Sequence, residues 1–337
     1  MTGKTAIGKA HRLSAVHPIQ RQFHALPTPH PVCYPDIVAK PLPVRTGIIP
    51  VNRMTNLCQA QRISGLAWCI VVGSTLIGST SIAGDADAPF PGKKTDWNGF
   101  DRYDFPLKDA RGGDIACRVV TPAQAAKGRP WIWRARFWAH EPQTDIALLK
   151  KGFHLVYCDV ADLWGNARAI SRWDTCYRFL TTRHGFSKRP ALEGMSRGGL
   201  MIYHWAIRHP GQVSCIYGDA PTMGIRPYVK GRKAGSPDLK KLQAWMKAHD
   251  LSLEKAQAYT RDAMDTARVL ARAKVPLIHV CGDADESVPF EEHTAEFARR
   301  YRKWGGTIKL IVKKGGKHHP HSLKDPTPIV DFILAAQ

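Results

Sequence analysis

The hydrophobic pattern divides the chain near Pro89. Beyond it, short apolar runs alternate with amphipathic ones. Trp97–Phe105 and Ile115–Val120, with Gly112-Gly113 near the turn between them, predict a hairpin. Trp131–Trp133, His154–Val160, Pro190–Glu193, Val213–Tyr217, Pro276–Val280 and Thr307–Val312 follow as short strand-like runs. The intervening Thr144–Lys151, Ala167–Arg183, Gly198–Arg208, Thr266–Ala273 and Phe290–Trp304, and the terminal Ile329–Ala336, have helical spacing. Strands alternating with helices imply an α/β fold, a mostly parallel sheet covered on both faces. Residues 222–265 interrupt the rhythm with a basic Gly/Pro loop and two helical stretches, Asp238–Ala248 and Ser252–Met264, with Asp250 and Ser252 as helix starters. We read this stretch as a small inserted cap in a domain spanning 89–337.

Before Pro89 the pattern is different. Residues 1–53 carry eight prolines, seven Lys or Arg and one acid, Asp36, without helical or strand periodicity. We read them as a disordered or untranslated upstream extension. Met54–Arg62 is polar and basic, Ile63–Ile77 is apolar, and Gly78–Ala88 is small and polar. That is the layout of a secretory signal peptide, 54–88, starting at Met54, and it predicts a secreted or periplasmic protein. The apolar run is short for a membrane span, so no stable membrane insertion is expected once the signal is cleaved.

Composition adds three limits. Hydrophobic residues make up 44% of the 337, enough for a sizeable core. The net charge of +21 favours anionic partners without naming one; no nucleic-acid-binding motif accompanies it. Beyond residue 88 the cysteines are Cys117, Cys158, Cys176, Cys215 and Cys281, with no CxxC spacing, which fits neither a zinc ribbon nor a dense disulfide framework; Cys158, Cys215 and Cys281, in or beside apolar runs, read as small buried hydrophobes, and one disulfide stays open.

The chemistry centres on Gly194-Met195-Ser196-Arg197-Gly198. A nucleophile on a sharp strand-to-helix turn needs small flanking residues, and this motif lies between a predicted strand and a predicted helix. Serine needs a base, and the base an orienting acid. Asp285 lies past the strand ending near Val280, with Asp283 as its rival. His318 lies past the strand ending near Val312, with His319 as its rival and His321 read as a structural hydrogen-bonder. The order Ser, Asp, His, with the acid and the histidine just past strand ends, resembles the α/β-hydrolase superfamily over about residues 95–337, leaning towards secreted esterases and prolyl-oligopeptidase-like members. The resemblance implies about eight strands, with the nucleophile after the fifth, the acid after the seventh and the histidine after the eighth. It assigns Ser196, Asp285 and His318 to the triad and the N–H of Arg197 to the oxyanion hole. The loop Arg134–His140 lacks the His-Gly-Gly pattern of many esterases, so the second donor is sought among Ala135–Phe137, with Arg136 the central choice.

Trp131 and Trp133 read as core. Trp138, Trp164 and Arg134 are candidate substrate contacts, the tryptophans by stacking on sugars and the arginine by gripping an anion. The expected function is an exported serine hydrolase, an esterase acting on carbohydrate or another soluble, small-molecule or polysaccharide ester of anionic character. No cofactor or catalytic metal is expected. The alternatives are a prolyl-oligopeptidase-like peptidase and a non-catalytic binding module on the same fold.

Overall fold

A meander opens the sheet. Strand β1 (Lys93–Trp97) turns through Asn98-Gly99 into β2 (Phe100–Lys108), which pairs with β3 (Asp114–Thr121), all antiparallel. The computed structural model describes residues 89–231 and 233–337; the proposed extension 1–53 and signal peptide 54–88 lie outside the described residues. β4 (Trp131–Ala135), β5 (His154–Cys158), β6 (Ala191–Met195), β7 (Cys215–Asp219), β8 (Leu277–Gly282) and β9 (Ile308–Lys313) complete one sheet in the order β1-β2-β3-β5-β4-β6-β7-β8-β9. β3 meets β5 antiparallel, and every pairing from there to β9 is parallel.

The sheet therefore has nine strands rather than eight. The sequence reading began its first run at Trp97 and so missed β1, whose Lys93–Asp96 are polar and exposed. The extra edge strand moves each expected position up by one: the nucleophile follows β6, the acid's loop follows β8 and the histidine's loop follows β9.

Every residue of β4 to β8 is buried, as expected of parallel strands covered on both faces. Alternate residues point to opposite layers. On one side Trp131, Trp133, Val156, Leu192 and Ile216 pack under α2 (Ala167–Arg183), α3 (Gly198–Arg208), α7 (Ala263–Arg272) and α8 (Glu296–Lys303). Here the indole of Trp133 stacks on Trp173 at 3.8 Å. On the other side Ile132, Leu155, Ala191, Tyr217 and Ile278 pack under α1 (Gln143–Lys150) and α9 (Thr327–Leu334). All five cysteines beyond residue 88 are buried free thiols.

Residues 220–262 hold three helices around their own apolar cluster of Ile225, Tyr228, Leu242, Trp245 and Ala256. α4 (Arg226–Lys230) arises inside the basic loop that sequence alone read as irregular. α5 (Pro237–His249) is capped by Ser236, whose hydroxyl accepts the Leu239 N–H. α6 (Leu253–Gln257), capped by Ser252, stops well short of the expected Met264, and α7 begins at Ala263 instead. Asp250 does not start a helix; it closes α5 in the left-handed conformation.

Three histidines are sealed in this core. His279 on β8 is bracketed by the Tyr203 hydroxyl at 2.6 Å and Thr294 at 3.1 Å, and its pKa is pushed down to about 3 by burial. Burial also lowers His154 and His293 to about 4. Their folded pKa values lie below the unfolded value of about 6.5, so the unfolded chain binds more protons once the pH falls under that value. Their contribution is fully present above pH 6.5 and is lost as the pH drops towards 4. We expect the denaturant midpoint to fall steeply between pH 6.5 and 5, with the slope from these groups approaching about 4 kcal/mol per pH unit. Equilibrium unfolding across that range checks this; an unchanged midpoint would refute it.

Candidate active site

Ser196 sits on the turn between β6 and α3 with φ at 48°, a left-handed conformation costly for a side-chain-bearing residue. The flanking glycines are forced by close approach. A Cβ on Gly194 would lie 2.8 Å from the Gly198 carbonyl, and one on Gly198 would lie 2.4 Å from the Ala135 carbonyl oxygen. The turn is tied down on both sides: the Ser196 N–H donates to the Asp219 carbonyl at 2.8 Å, and the Ser196 carbonyl accepts the Thr222 N–H at 2.9 Å. The sequence supplies the motif; β4 and β7 supply the walls that make it necessary.

The Ser196 Oγ lies 3.0 Å from His318 Nε2. His318 Nδ1 lies 2.7 Å from Asp285 Oδ2. Asp285 Oδ1 accepts the backbone N–H groups of Ser287 (2.8 Å) and Val288 (2.9 Å), so the carboxylate has a single orientation. Burial acts to raise the Asp285 pKa, but the hydrogen bonds from His318, Val288 and Ser287 outweigh it and leave the group below the ordinary carboxylate range. The loops carrying acid and histidine are sewn together, since the Ala284 N–H donates to the Gly316 carbonyl at 2.9 Å. Gly282 has no room for a side chain there: its Cβ would meet the Gly316 oxygen at 2.0 Å.

The rivals have other places. Asp283 is exposed, and its carboxylate accepts the Gly315 N–H at 2.6 Å, pinning the turn that precedes the histidine. His319 is exposed beside the pocket. His321 is buried, with Nδ1 2.6 Å from Asp219 Oδ1. Asp219 also accepts the Tyr217 hydroxyl and the Ser322 N–H, each at 2.6 Å.

A pocket of about 300 Å³ opens over Ser196 and His318, with Phe137, Tyr228 and Val288 among its apolar wall. His140, Lys241 and Ser287 also line it. Apart from Phe137, weighed only as an oxyanion donor, none of these was singled out from sequence, because they come from two loops and from α4 and α5 and share no local motif.

Several predicted contacts fall elsewhere. Arg134 is 1% exposed and cannot reach a substrate. Its guanidinium pairs with Asp145 and Glu193 and donates to the carbonyls of Phe137 and His140. Burial drives the Glu193 pKa well up, against the pull of Arg134. Trp138 packs against Trp97 and Tyr157, under the Arg118 guanidinium, and lines no part of the pocket. Trp164 is buried on the far side of Arg197, whose guanidinium lies 4.7 Å from its ring centroid. The Arg136 side chain turns away to the Ala161 carbonyl at 2.6 Å, which leaves only its backbone near the site. Arg136 and Phe137 are both left-handed, with φ of 68° and 50°.

Strand order, the strand–turn–helix around Ser196 and the loops that carry Asp285 and His318 give the chain the α/β-hydrolase fold. The prolyl oligopeptidase family model matches residues 175–334, just under half of the chain. No curated protein matches. Among solved structures, a puromycin-hydrolyzing peptidase from Mycobacterium tuberculosis aligns over 69% of this chain and 38% of its own, at TM-score 0.54 and 13% identity. Dipeptidyl peptidase 4 from Porphyromonas gingivalis aligns over 70% and 35%, at TM-score 0.54 and 13% identity. A cold-adapted esterase from an Arctic intertidal metagenomic library aligns over 73% and 98%, at TM-score 0.51 and 15% identity. The chain thus spans little more than a third of the peptidases and nearly all of the esterase. Family match and fold together support a serine hydrolase of the α/β-hydrolase type.

Removing the Arg134 guanidinium would leave two buried carboxyl groups and two loop carbonyls without their shared donor. We expect Arg134→Ala to cost about 3–5 kcal/mol of stability. Chemical denaturation checks this; a loss below 1 kcal/mol would mean the cluster is not held as the structure places it.

Proposed function

We propose that the protein is an exported serine esterase acting by acyl transfer, with Ser196 as nucleophile, His318 as general base and acid, and Asp285 as the group that orients His318. The observation that carries this reading is the continuous Ser196–His318–Asp285 hydrogen-bond chain at the base of an open pocket. His318 would take the Ser196 proton as Oγ attacks the ester carbonyl. The tetrahedral oxyanion would rest on the N–H of Arg197 and on one from the left-handed pair Arg136-Phe137. Collapse expels the alcohol, which takes the proton from His318, and water then releases the acid by the reverse sequence.

The small pocket suits a short acyl group. Beside it runs a groove of about 1100 Å³ lined by Arg111, Arg168, Arg208, Lys247 and Arg261, against the carboxylates of Asp162 and Asp250. The Arg197–Trp164 stack stands between the two, with Arg197 lining the pocket and Trp164 the groove. This charge favours an anionic leaving group, such as an acidic polysaccharide.

Ser196→Ala should lower kcat/KM on a chromogenic acetyl ester by about 10⁴-fold or more, and Asp285→Asn by about 10⁴-fold, with unchanged circular dichroism. A fluorophosphonate should label the native protein and not the Ser196 variant. Failure to label a folded native protein would favour a non-catalytic binding module, and preferential cleavage of short peptides would favour the peptidase. Arg208→Glu with Lys247→Glu should raise KM for acetylated acidic oligosaccharides while leaving a neutral acetyl ester unaffected. Equal effects on both substrates would remove the groove from the substrate path.

A further inference from the structure

The pocket mouth holds three imidazoles that the proposed acyl chemistry does not use. His140 comes from the loop after β4; His319 and His321 come from the loop after β9. A ring nitrogen from each lies within 4.8 Å of the others, and all three line the Ser196 pocket. His140 and His319 are exposed and His321 is buried.

We propose that His140, His319 and His321 bind a divalent transition-metal ion of the zinc or copper class, and that this ion closes the pocket to substrate; the closing role rests on the hydrolase reading of Ser196. Three arguments carry the assignment. The donors are all imidazole nitrogens, a set suited to zinc, copper or nickel and not to magnesium or calcium. Tetrahedral coordination at about 2.0–2.1 Å places ligand nitrogens about 3.4 Å apart, so the exposed rings need swing inward only on the order of 1 Å. The third ring is already prepared: Asp219 fixes His321 through Nδ1, leaving Nε2 for the ion, the carboxylate–histidine–metal relation that orients ligands in metal sites.

The surroundings agree. Arg134 holds the His140 carbonyl, and the His140 N–H donates to the Phe137 carbonyl at 3.1 Å, so the first ligand's backbone is anchored while its ring is free to turn. His318 has no nitrogen to offer, since Asp285 and Ser196 occupy both. Its ring centroid nevertheless lies 4.7 Å from that of His321 and 5.0 Å from that of His319. A dication there obstructs the approach to Ser196 and opposes formation of the His318 imidazolium that acyl transfer requires.

The test uses the full protein, stripped with chelator and desalted. Cobalt(II) is added as a spectroscopic probe and zinc by calorimetry, and ester hydrolysis is followed with and without zinc. We expect one equivalent to bind, with the visible bands of tetrahedral cobalt, and zinc to suppress hydrolysis reversibly on adding chelator. His140→Ala and His319→Ala, both exposed positions, should each weaken binding about 10–100-fold and relieve zinc inhibition in proportion. His318→Ala should still bind the metal. Absence of stoichiometric binding, or binding unchanged in the first two variants, overturns the site. Binding with zinc-insensitive hydrolysis overturns the closing role. A protein that binds cobalt at these histidines but hydrolyses nothing keeps the site and refutes the hydrolase reading instead.

Discussion

A single buried guanidinium organises the carboxyl end of this sheet around Ser196. Arg134 lies on β4, in the middle of the strand order, where water cannot compensate a charge. It pairs with Asp145 on α1 and Glu193 on β6, and it holds the Phe137 and His140 carbonyls. An ion cluster so deep adds little net stability compared with apolar residues of the same volume. Its effect is on geometry. The loop from Arg136 to Glu141 has four side-chain-bearing residues in the left-handed region: Arg136, Phe137, Ala139 and Glu141. Such a loop has no reason to keep that shape alone. With its carbonyls gripped from below, it presents Phe137 and His140 to the pocket and leaves the backbone of Arg136-Phe137 beside Ser196.

The same logic repeats at the neighbouring strand ends. Asp285 pins His318 and Asp219 pins His321, two carboxylate–imidazole pairs on one short loop. Asp219 serves the nucleophile as well, because its carbonyl holds the Ser196 N–H. β7 therefore couples the strained turn to the second histidine. The adjacent rings differ in what lies beyond them. His318 continues to the Ser196 hydroxyl, whereas His321 faces the two further imidazoles of His140 and His319.

The grouping of Ser196, Asp285 and His318 was legible because each follows a strand, and strands in a parallel sheet declare themselves as apolar runs. Gly194 and Gly198 sit in a local motif, and the stretches around Asp285 and His318 are equally compact in sequence. Arg134 misled for a physical reason. An arginine amid tryptophans near a site looks like an anion grip, and nothing local reveals that Asp145 and Glu193 close around it. Trp138 failed similarly, since its partners Trp97 and Tyr157 lie on β1 and β5. The ninth strand was missed because β1 is polar and exposed except at Trp97 and so offers no apolar run.

What sequence could not supply is convergence. His140 is 179 positions before His319, and only the order β5-β4-β6 at the sheet centre brings the loop after β4 against the loop after β9. The crossing that places β4 beside β6 is the topological switch at which open α/β sheets expose a crevice. Here the crevice receives a rigid loop held by Arg134 on one side and a loop held by Asp219 and Asp285 on the other. The first loop is fixed by a buried charge on its own strand and the second by carboxylates from β7 and the loop after β8, so the imidazoles they carry meet across the gap on separate supports. That independence lets one pocket hold the Ser196-linked His318 and three further imidazoles, of which His319 and His321 have ring centroids 5.0 and 4.7 Å from its own.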